Sequence, residues 1–462
     1  MILPGQRRQV FRNRSRRGVT RAQKGVLALS GLALAGAIIL APTATLLLAP
    51  LLLGVIFLAA AFLQIGVTLA AAPQKSPPVE RRDDRLPRYS VLVPLYREAS
   101  VVSDLVAALA AIDYPKERLQ ILLVTEAHDE GTQAAINALA LPDNIAMLVA
   151  PAGTPHTKPR AINAALPFAN GTFLVVYDAE DRPDPLQLRA AVAAFDAAGP
   201  NVACLQARLA IDNIEDSWLT RMFAIEYAAL FDVVKAGTAK LGLPVPLGGT
   251  SNHFRADALR AVGLWDAWNV TEDADLGFRL ALHGLAVRDL NSTTDEEAPH
   301  TTRAWLNQRT RWLKGWMQTV LTHSRQPIRT WRALGTAGFF AAVAQSACVI
   351  AGALGTPLFQ ALVLIRLLAP EPLLSGPVAN RIADGVMVLL GLTGLICTLL
   401  PALIGMARRG LWHLLPWLPL MLVYQFLVSI AAYRAFHELV IAPFRWNKTQ
   451  HGTARSRKRR QR

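Results

Sequence analysis

Gln308, Arg311 and Trp312 fall in the string Gln-Arg-Thr-Arg-Trp, downstream of Thr271-Glu272-Asp273 and directly before a long apolar stretch. Further upstream, Val175-Val176-Tyr177 runs straight into Asp178-Ala179-Glu180-Asp181. These residue types supply a carboxylate for proton transfer, a guanidinium for an anionic leaving group and an indole plate for a sugar ring. Asp178 and Glu180 share one side if extended geometry persists for two residues, and their oxygens would then suit one hard divalent cation, Mg²⁺ or Mn²⁺. The same segment also reads as a charged turn before a helix, with Asp184 as its N-terminal residue. Thr271-Glu272-Asp273 is equally open: Asp273 can serve as a general base, and Thr271 with carboxylates in the first turn can cap a helix from Ala274 to His283. Arg303, Arg309, Arg311 and Lys314 interleave with Trp305, Trp312 and Trp316, a pattern that a cationic helix lying on a membrane would also show.

The elements that must position these groups are partly apolar spans. The chain has 462 residues, is 52% hydrophobic and has a mean hydropathy of +0.29, which points to a membrane protein with a soluble domain. From Val26 to Ala72 there is no charged residue, enough for two helices of about 20 residues each, with Pro42 and Pro50 marking the turn. A cleavable signal has one shorter apolar region. The net charge of +15 gathers at the two ends, 1–25 and 443–462, which places both ends on the cytoplasmic side. Such clusters beside apolar spans act as topology signals or contacts to anionic membrane lipids, and no nucleic-acid partner follows. Cys204, Cys348 and Cys397 are too scattered for a disulfide framework or a zinc site.

Residues 73–88, rich in Pro and charge, read as a linker, and 89–331 as a soluble α/β domain. Short apolar runs at Tyr89–Leu95, Leu119–Thr125, Ile145–Ala150, Thr172–Tyr177, Ala203–Leu209 and Ala286–Leu290 alternate with helical patterns. This predicts a mostly parallel sheet covered on both faces, with ligands beyond the carboxyl ends of its strands. Gly248-Gly249 is expected to end a further strand. Residues 332–442 form a second apolar block of three or four helices, with Gly355-Thr356-Pro357 as a break that would favour an even number of crossings. His253, Trp265 and Trp268 read as core residues. Trp446, between Arg445 and Lys448, reads as an interfacial anchor.

Taken in order, the strand-end carboxylates, Thr-Glu-Asp and Gln-x-x-Arg-Trp resemble the family 2 glycosyltransferases of the membrane-embedded, cellulose synthase-like type. Val93-Pro-Leu-Tyr-Arg-Glu98 and Lys158-Pro-Arg-Ala-Ile-Asn163 add to the resemblance, which covers about residues 88–320. It implies an α/β GT-A-like nucleotide-sugar domain inserted between transmembrane helices, on the cytoplasmic face of the plasma (inner) membrane. By the same resemblance Asp178 and Glu180 would bind the metal and donor, and Lys158 would lie near the nucleotide. Asp273 would be the base, Gln308 and Arg311 would close on the diphosphate, and Trp312, Thr250, Asn252 and Glu272 would meet the acceptor. Two departures stand out: Glu180 replaces an Asp, and Glu126 stands where the family has Asp-Asp-Gly, which loosens the assignment to a UDP-linked donor. No Rossmann-type Gly-rich loop is present. The expected partners are a nucleotide-sugar donor and a glycan or lipid-linked acceptor. The resemblance favours processive synthesis of a polysaccharide over single transfer to a polyprenyl-phosphate lipid, and either over a non-catalytic transporter, because the spans hold few ionisable residues.

Overall fold

The computed structural model describes residues 14–72, 83–368, 377–446 and Gly452. Much of the expected linker (73–82), the start of the basic N-terminus (1–13) and most of the basic tail beyond Trp446 lie outside the described residues.

Eight strands form one sheet: β1 (Tyr89–Leu95), β2 (Leu119–Glu126), β3 (Ile145–Ala150), β4 (Phe173–Val176), β5 (Arg182–Pro183), β6 (Val202–Ile211), β7 (Asn252–Arg255) and β8 (Ala286–Glu296), in spatial order β3-β2-β1-β4-β7-β6-β8-β5. Alternate side chains feed two apolar layers. Val91, Val93, Ile121, Leu123 and Val175 face one cluster, while Leu92, Leu122, Val124, Leu174 and Val176 face the other. Burial on both faces is why these strands read as continuous apolar runs.

The sheet is mixed rather than mostly parallel. β1 pairs in parallel with β2 and β4, but β7 lies antiparallel between β4 and β6. The glycines at 248–249 precede β7 instead of ending a strand, since the stretch before them carries Pro244 and Pro246, which have no N–H to donate to a ladder.

The helices that matter to the site are α1 (Arg21–Leu40), α2 (Pro42–Ala70), α3 (Trp218–Ala229), α4 (Glu272–Leu282), α5 (Thr302–His323), α6 (Pro327–Leu368), α7 (Pro377–Arg409) and α8 (Met421–Ile441). Five helical segments among the described residues are long and apolar enough to cross a membrane. The chain turns at Ala41 and restarts at Pro42, where the missing N–H of a first-turn proline costs nothing. The break anticipated at Gly355-Thr356-Pro357 does not occur. α6 is interrupted at Gly335 instead, where φ is 69° and the backbone leaves the helical region, and the apolar part beyond it runs unbroken through Pro357. Helices in lipid tolerate an internal proline because neighbouring groups satisfy the freed carbonyl.

α8 differs from the others. Near its start the Tyr424 hydroxyl meets the Trp305 indole N–H (3.2 Å) and Arg309 (2.8 Å), and near its end Glu438 accepts from Lys314 (2.9 Å). Both ends of α8 therefore rest on α5.

α2 passes so close to the domain that a Cβ on Gly237 would lie 1.9 Å from the Val67 carbonyl oxygen. Gly237→Ala should cost about 1–3 kcal/mol through overpacking, read as a lowered thermal midpoint of the purified full-length protein in detergent; an unchanged midpoint would mean the two backbones do not meet there.

Candidate active site

β4 stops at Val176, and Asp178-Ala179-Glu180 form a turn beyond its carboxyl end, so the extended geometry does not persist for the two further residues expected of it. The turn is braced from within by Asp181, whose carboxylate accepts from the Asp178 backbone N–H (2.7 Å) and from the Thr250 hydroxyl. Asp181 is thus a brace facing inward, and burial pushes its carboxyl well above the usual range, with Asp178 and Glu180 adding repulsion. Asp184 accepts from the Leu186 N–H (2.8 Å), one residue before the helix Gln187–Ala197 rather than at its cap position.

Lys158 opens the helix Lys158–Ala165 and reaches across to Asp178 (2.5 Å) and the Gly249 carbonyl (2.6 Å). Burial alone would lower its ammonium, but attraction from Asp178, Asp273 and Glu272 outweighs this and holds it above its ordinary value. Glu126 ends β2 in an ion pair with Arg160. His128 and His156 stand beside it, one ligand atom of each of the three lying within 4.8 Å of the others.

Thr271 stands at the cap position just before α4 yet makes no side-chain cap; its N–H goes to Asn269 (2.9 Å). Glu272 and Asp273 occupy the first turn, 5% and 8% exposed. The Trp265 indole N–H donates to Asp273 Oδ1 at 2.9 Å, giving a residue read as core a direct hold on the candidate base. Burial pushes the Asp273 carboxyl well above the usual range and Glu272 repels it further, while Lys158 and Trp265 pull the other way. Glu272 is raised by burial too, opposed by Lys158 and Arg311.

α5 carries Gln-Arg-Thr-Arg-Trp. It does not lie on a surface with its cations turned outward: Arg309 and Lys314 are buried. Arg309 makes two bonds to Glu226 of α3 (2.6 and 2.7 Å) and lies 4.7 Å from the Trp312 ring centre, among Phe223, Trp305 and Tyr424. Arg311 turns the other way. Burial lowers its guanidinium, opposed by attraction from Glu272 and Asp178, and Trp446 of the C-terminal segment sits 6.0 Å away. α5 approaches α4 so closely that a Cβ on Gly315 would fall 2.1 Å from Thr271 Oγ1. A second tie is the buried carboxylate of Asp275, shared by Arg279 (2.7 Å) and His323 (2.8 Å).

One cavity takes in Asp178, Glu180, Glu272, Asp273 and Arg311, and also Glu126, Lys158, Thr250, Gln308 and Trp312. Asn252 is the expected site residue that does not line it: its amide donates to the Gly248 carbonyl (2.6 Å) and shapes the glycine turn. His253 is packed as expected, shared between Tyr89 (2.6 Å) and Gln187 (3.1 Å), and burial drives it down to about 3. Sequence reasoning missed Trp265, Arg309 as an anchor, the histidine pair and the return of Trp446; of these only the arginine was signalled, by its place in an aromatic-rich helix. The arrangement can take a proton at Asp273, and it sets two acidic oxygens and a guanidinium around one space.

Residues 87–315 match the family model described as Glycosyltransferase like family 2. This matched stretch, 229 of the 462 residues (315 − 87 + 1), is similar to a family 2 glycosyltransferase domain. Beta-monoglucosyldiacylglycerol synthase of Synechocystis sp. is 30% identical over 264 residues, which are 56% of this chain and 54% of that protein. A probable glucomannan 4-beta-mannosyltransferase of Arabidopsis thaliana is 27% identical over 245 residues, 51% of this chain and 44% of that protein. The chain thus spans about half the length of the curated relatives it matches. Among solved structures, mannosyltransferase PcManGT from Pyrobaculum calidifontis, in complex with GDP-Man and Mn²⁺, superposes with a TM-score of 0.51 at 21% identity, covering 78% of this chain and 99% of that one. The domain therefore has a GT-A-like fold.

Trp265→Phe removes the one indole donor to Asp273. Since that N–H stabilises the charged carboxylate, its loss should raise the Asp273 pKa further and move the acid limb of the kcat/KM profile to higher pH. An unmoved limb would separate Trp265 from the titrating group.

Proposed function

We propose that the protein moves a sugar from a nucleotide-sugar donor to an acceptor hydroxyl with inversion at the anomeric carbon. The observation that carries this reading is the convergence of Asp273, the Asp178/Glu180 pair and Arg311, from three separate stretches of chain, on one cavity. Asp273 takes the acceptor's proton as its oxygen attacks from the face opposite the diphosphate. Its elevated pKa makes it a stronger base than an ordinary carboxylate, while Trp265 holds it in place. Arg311 and Gln308 face the departing diphosphate, and Lys158 spans from the donor side to Gly249.

Asp178 and Glu180 fit Mg²⁺ or Mn²⁺: both are oxygen donors on one turn, and Asp178 already holds one cation, the Lys158 ammonium. A divalent ion held there would supply positive charge against the diphosphate. The pairing of nucleotide sugar and Mn²⁺ in the Pyrobaculum structure accords with this.

The domain belongs, in this reading, on the cytoplasmic face of the plasma membrane. α1 starts against it through Gln23 to Leu321, α2 ends against it where Val67 meets Gly237, and α7 ends on it through Arg409 to Asp232. With α8 lying on α5, four crossings return the chain to the side where it began.

Asp273→Asn should abolish sugar transfer, by about a thousandfold or more, without lowering the thermal midpoint; retained turnover would remove Asp273 from its role. Chelation should stop transfer and added Mn²⁺ or Mg²⁺ restore it, with Asp178→Asn raising the metal concentration required. Activity should rise with pH through an apparent pKa above the ordinary carboxylate value of about 4, because a raised pKa leaves Asp273 protonated and idle below it. A limb at or below that value would contradict the elevated base.

A further inference from the structure

The cavity that holds the polar groups does not end with them. It has a volume of about 1930 Å³ and continues between the membrane helices, past Ile56 and Phe57 of α2, Leu358 and Phe359 of α6, and Leu390 and Leu395 of α7. A small-molecule site usually encloses about 300–1,000 Å³, so a donor sugar nucleotide leaves much of this space unfilled. The remainder is walled by aliphatic and aromatic carbon with isolated polar atoms such as Gln64, Thr356 and Thr398. A glycan carries hydroxyls around each ring, and walls of this kind would leave them without partners. The sugar-stacking alternative is also weakened at Trp312, since Arg309 covers its ring.

Where the two halves meet, the chain makes a π-helical turn at Leu230–Lys235, a wide turn that often marks a functional position. Lys235 is 7% exposed, lines the cavity and has no ion-pair partner among the described residues; its ammonium meets the ring of Phe231 at 4.3 Å. Burial pushes it down to about 7, opposed by attraction from Asp273, Cys204 and Glu296.

We propose that the acceptor is a membrane lipid whose chain lies in the apolar half of this cavity, between α2, α6 and α7, and whose headgroup oxygen reaches the donor beside Asp273. This rests on the transferase reading above and adds the acceptor class to it. The acceptor oxygen forms a bond to the anomeric carbon as the bond from that carbon to the diphosphate oxygen breaks, and the electron pair leaves with the nucleoside diphosphate. A hydroxyl headgroup gives its proton to Asp273; an ionised phosphate headgroup has none to give and would lie against Lys235. Both share the apolar chain that the cavity selects.

The test uses the full-length protein in nanodiscs with Mn²⁺, radiolabelled UDP- and GDP-sugars, and either dioleoylglycerol or undecaprenyl phosphate as acceptor. Label should enter the chloroform phase as a lipid carrying one sugar, saturably with lipid. Gly352 and Gly355 line the cavity, and a Cβ at either meets no atom within 4 Å. Gly352→Leu and Gly355→Leu should therefore fill the space and raise the KM for lipid about tenfold or more, with the KM for donor unmoved. Leu364→Phe, on an exposed part of α6 outside the cavity, is the control and should leave the lipid KM unchanged. Lys235→Met should raise the KM for the phosphate lipid and not for the diacylglycerol, which distinguishes the two headgroups. Label in a long water-soluble polymer, or a lipid KM indifferent to both glycine substitutions, overturns the proposal and leaves the transferase reading standing. No turnover of any nucleotide sugar would instead bring down the transferase reading itself.

Discussion

Eight carboxylates, Asp178, Glu180, Glu272 and Asp273 at the centre of them, line one cavity with four cations, Lys158, Lys235, Arg309 and Arg311. That excess of negative charge in a place shielded from water is the constraint around which the protein is built. Carboxylates in such surroundings either lose charge or acquire positive partners. The structure does some of each: Lys158 answers Asp178, and Asp273 is displaced toward its neutral form. An anionic diphosphate alone would worsen the imbalance, which is the electrostatic case for a divalent ion arriving with the donor.

Holding like charges together demands walls that do not yield. Asp181 fixes the turn of Asp178 from below, Thr271 is pressed against Gly315, and Asp275, paired within α4 to Arg279, ties α4 to α5 through His323. Burial depresses nothing here by itself; the two partners of Asp275 hold its carboxyl far below the ordinary range despite desolvation. Since that folded-state pKa lies below the unfolded one, the tie contributes fully at neutral pH and fades only as the medium is acidified through the ordinary carboxylate range. Arg309 performs the same service toward α3 and α8, with Glu226 and Tyr424 as partners and aromatic rings packed around it.

The sequence made the ordered motifs legible because each chemical group is coupled to a local signal. Asp178 follows an apolar run, Asp273 opens a helix, and Arg311 lies on one. The strands were legible for the same reason, their burial on both faces being written as unbroken Val, Ile and Leu. What escaped is long-range geometry. Nothing local to Trp265 says that its indole will find Asp273, and Gly248-Gly249 looks the same before a strand as after one. The antiparallel insertion of β7 between β4 and β6 depends on pairing partners distant in the chain. Pro357 misled because a proline breaks only the one hydrogen bond it lacks, and this helix continues through it.

The site is walled from Leu53 in the second helix to Trp446 close to the final described residue. Residues nearly 400 positions apart in sequence thus wall one space, and Trp446 comes back to within 6.0 Å of Arg311 from beyond all the long apolar helices. The cavity is therefore closed only when segments from both sides of the domain have packed together, so its shape is a property of the whole described fold and of no single part.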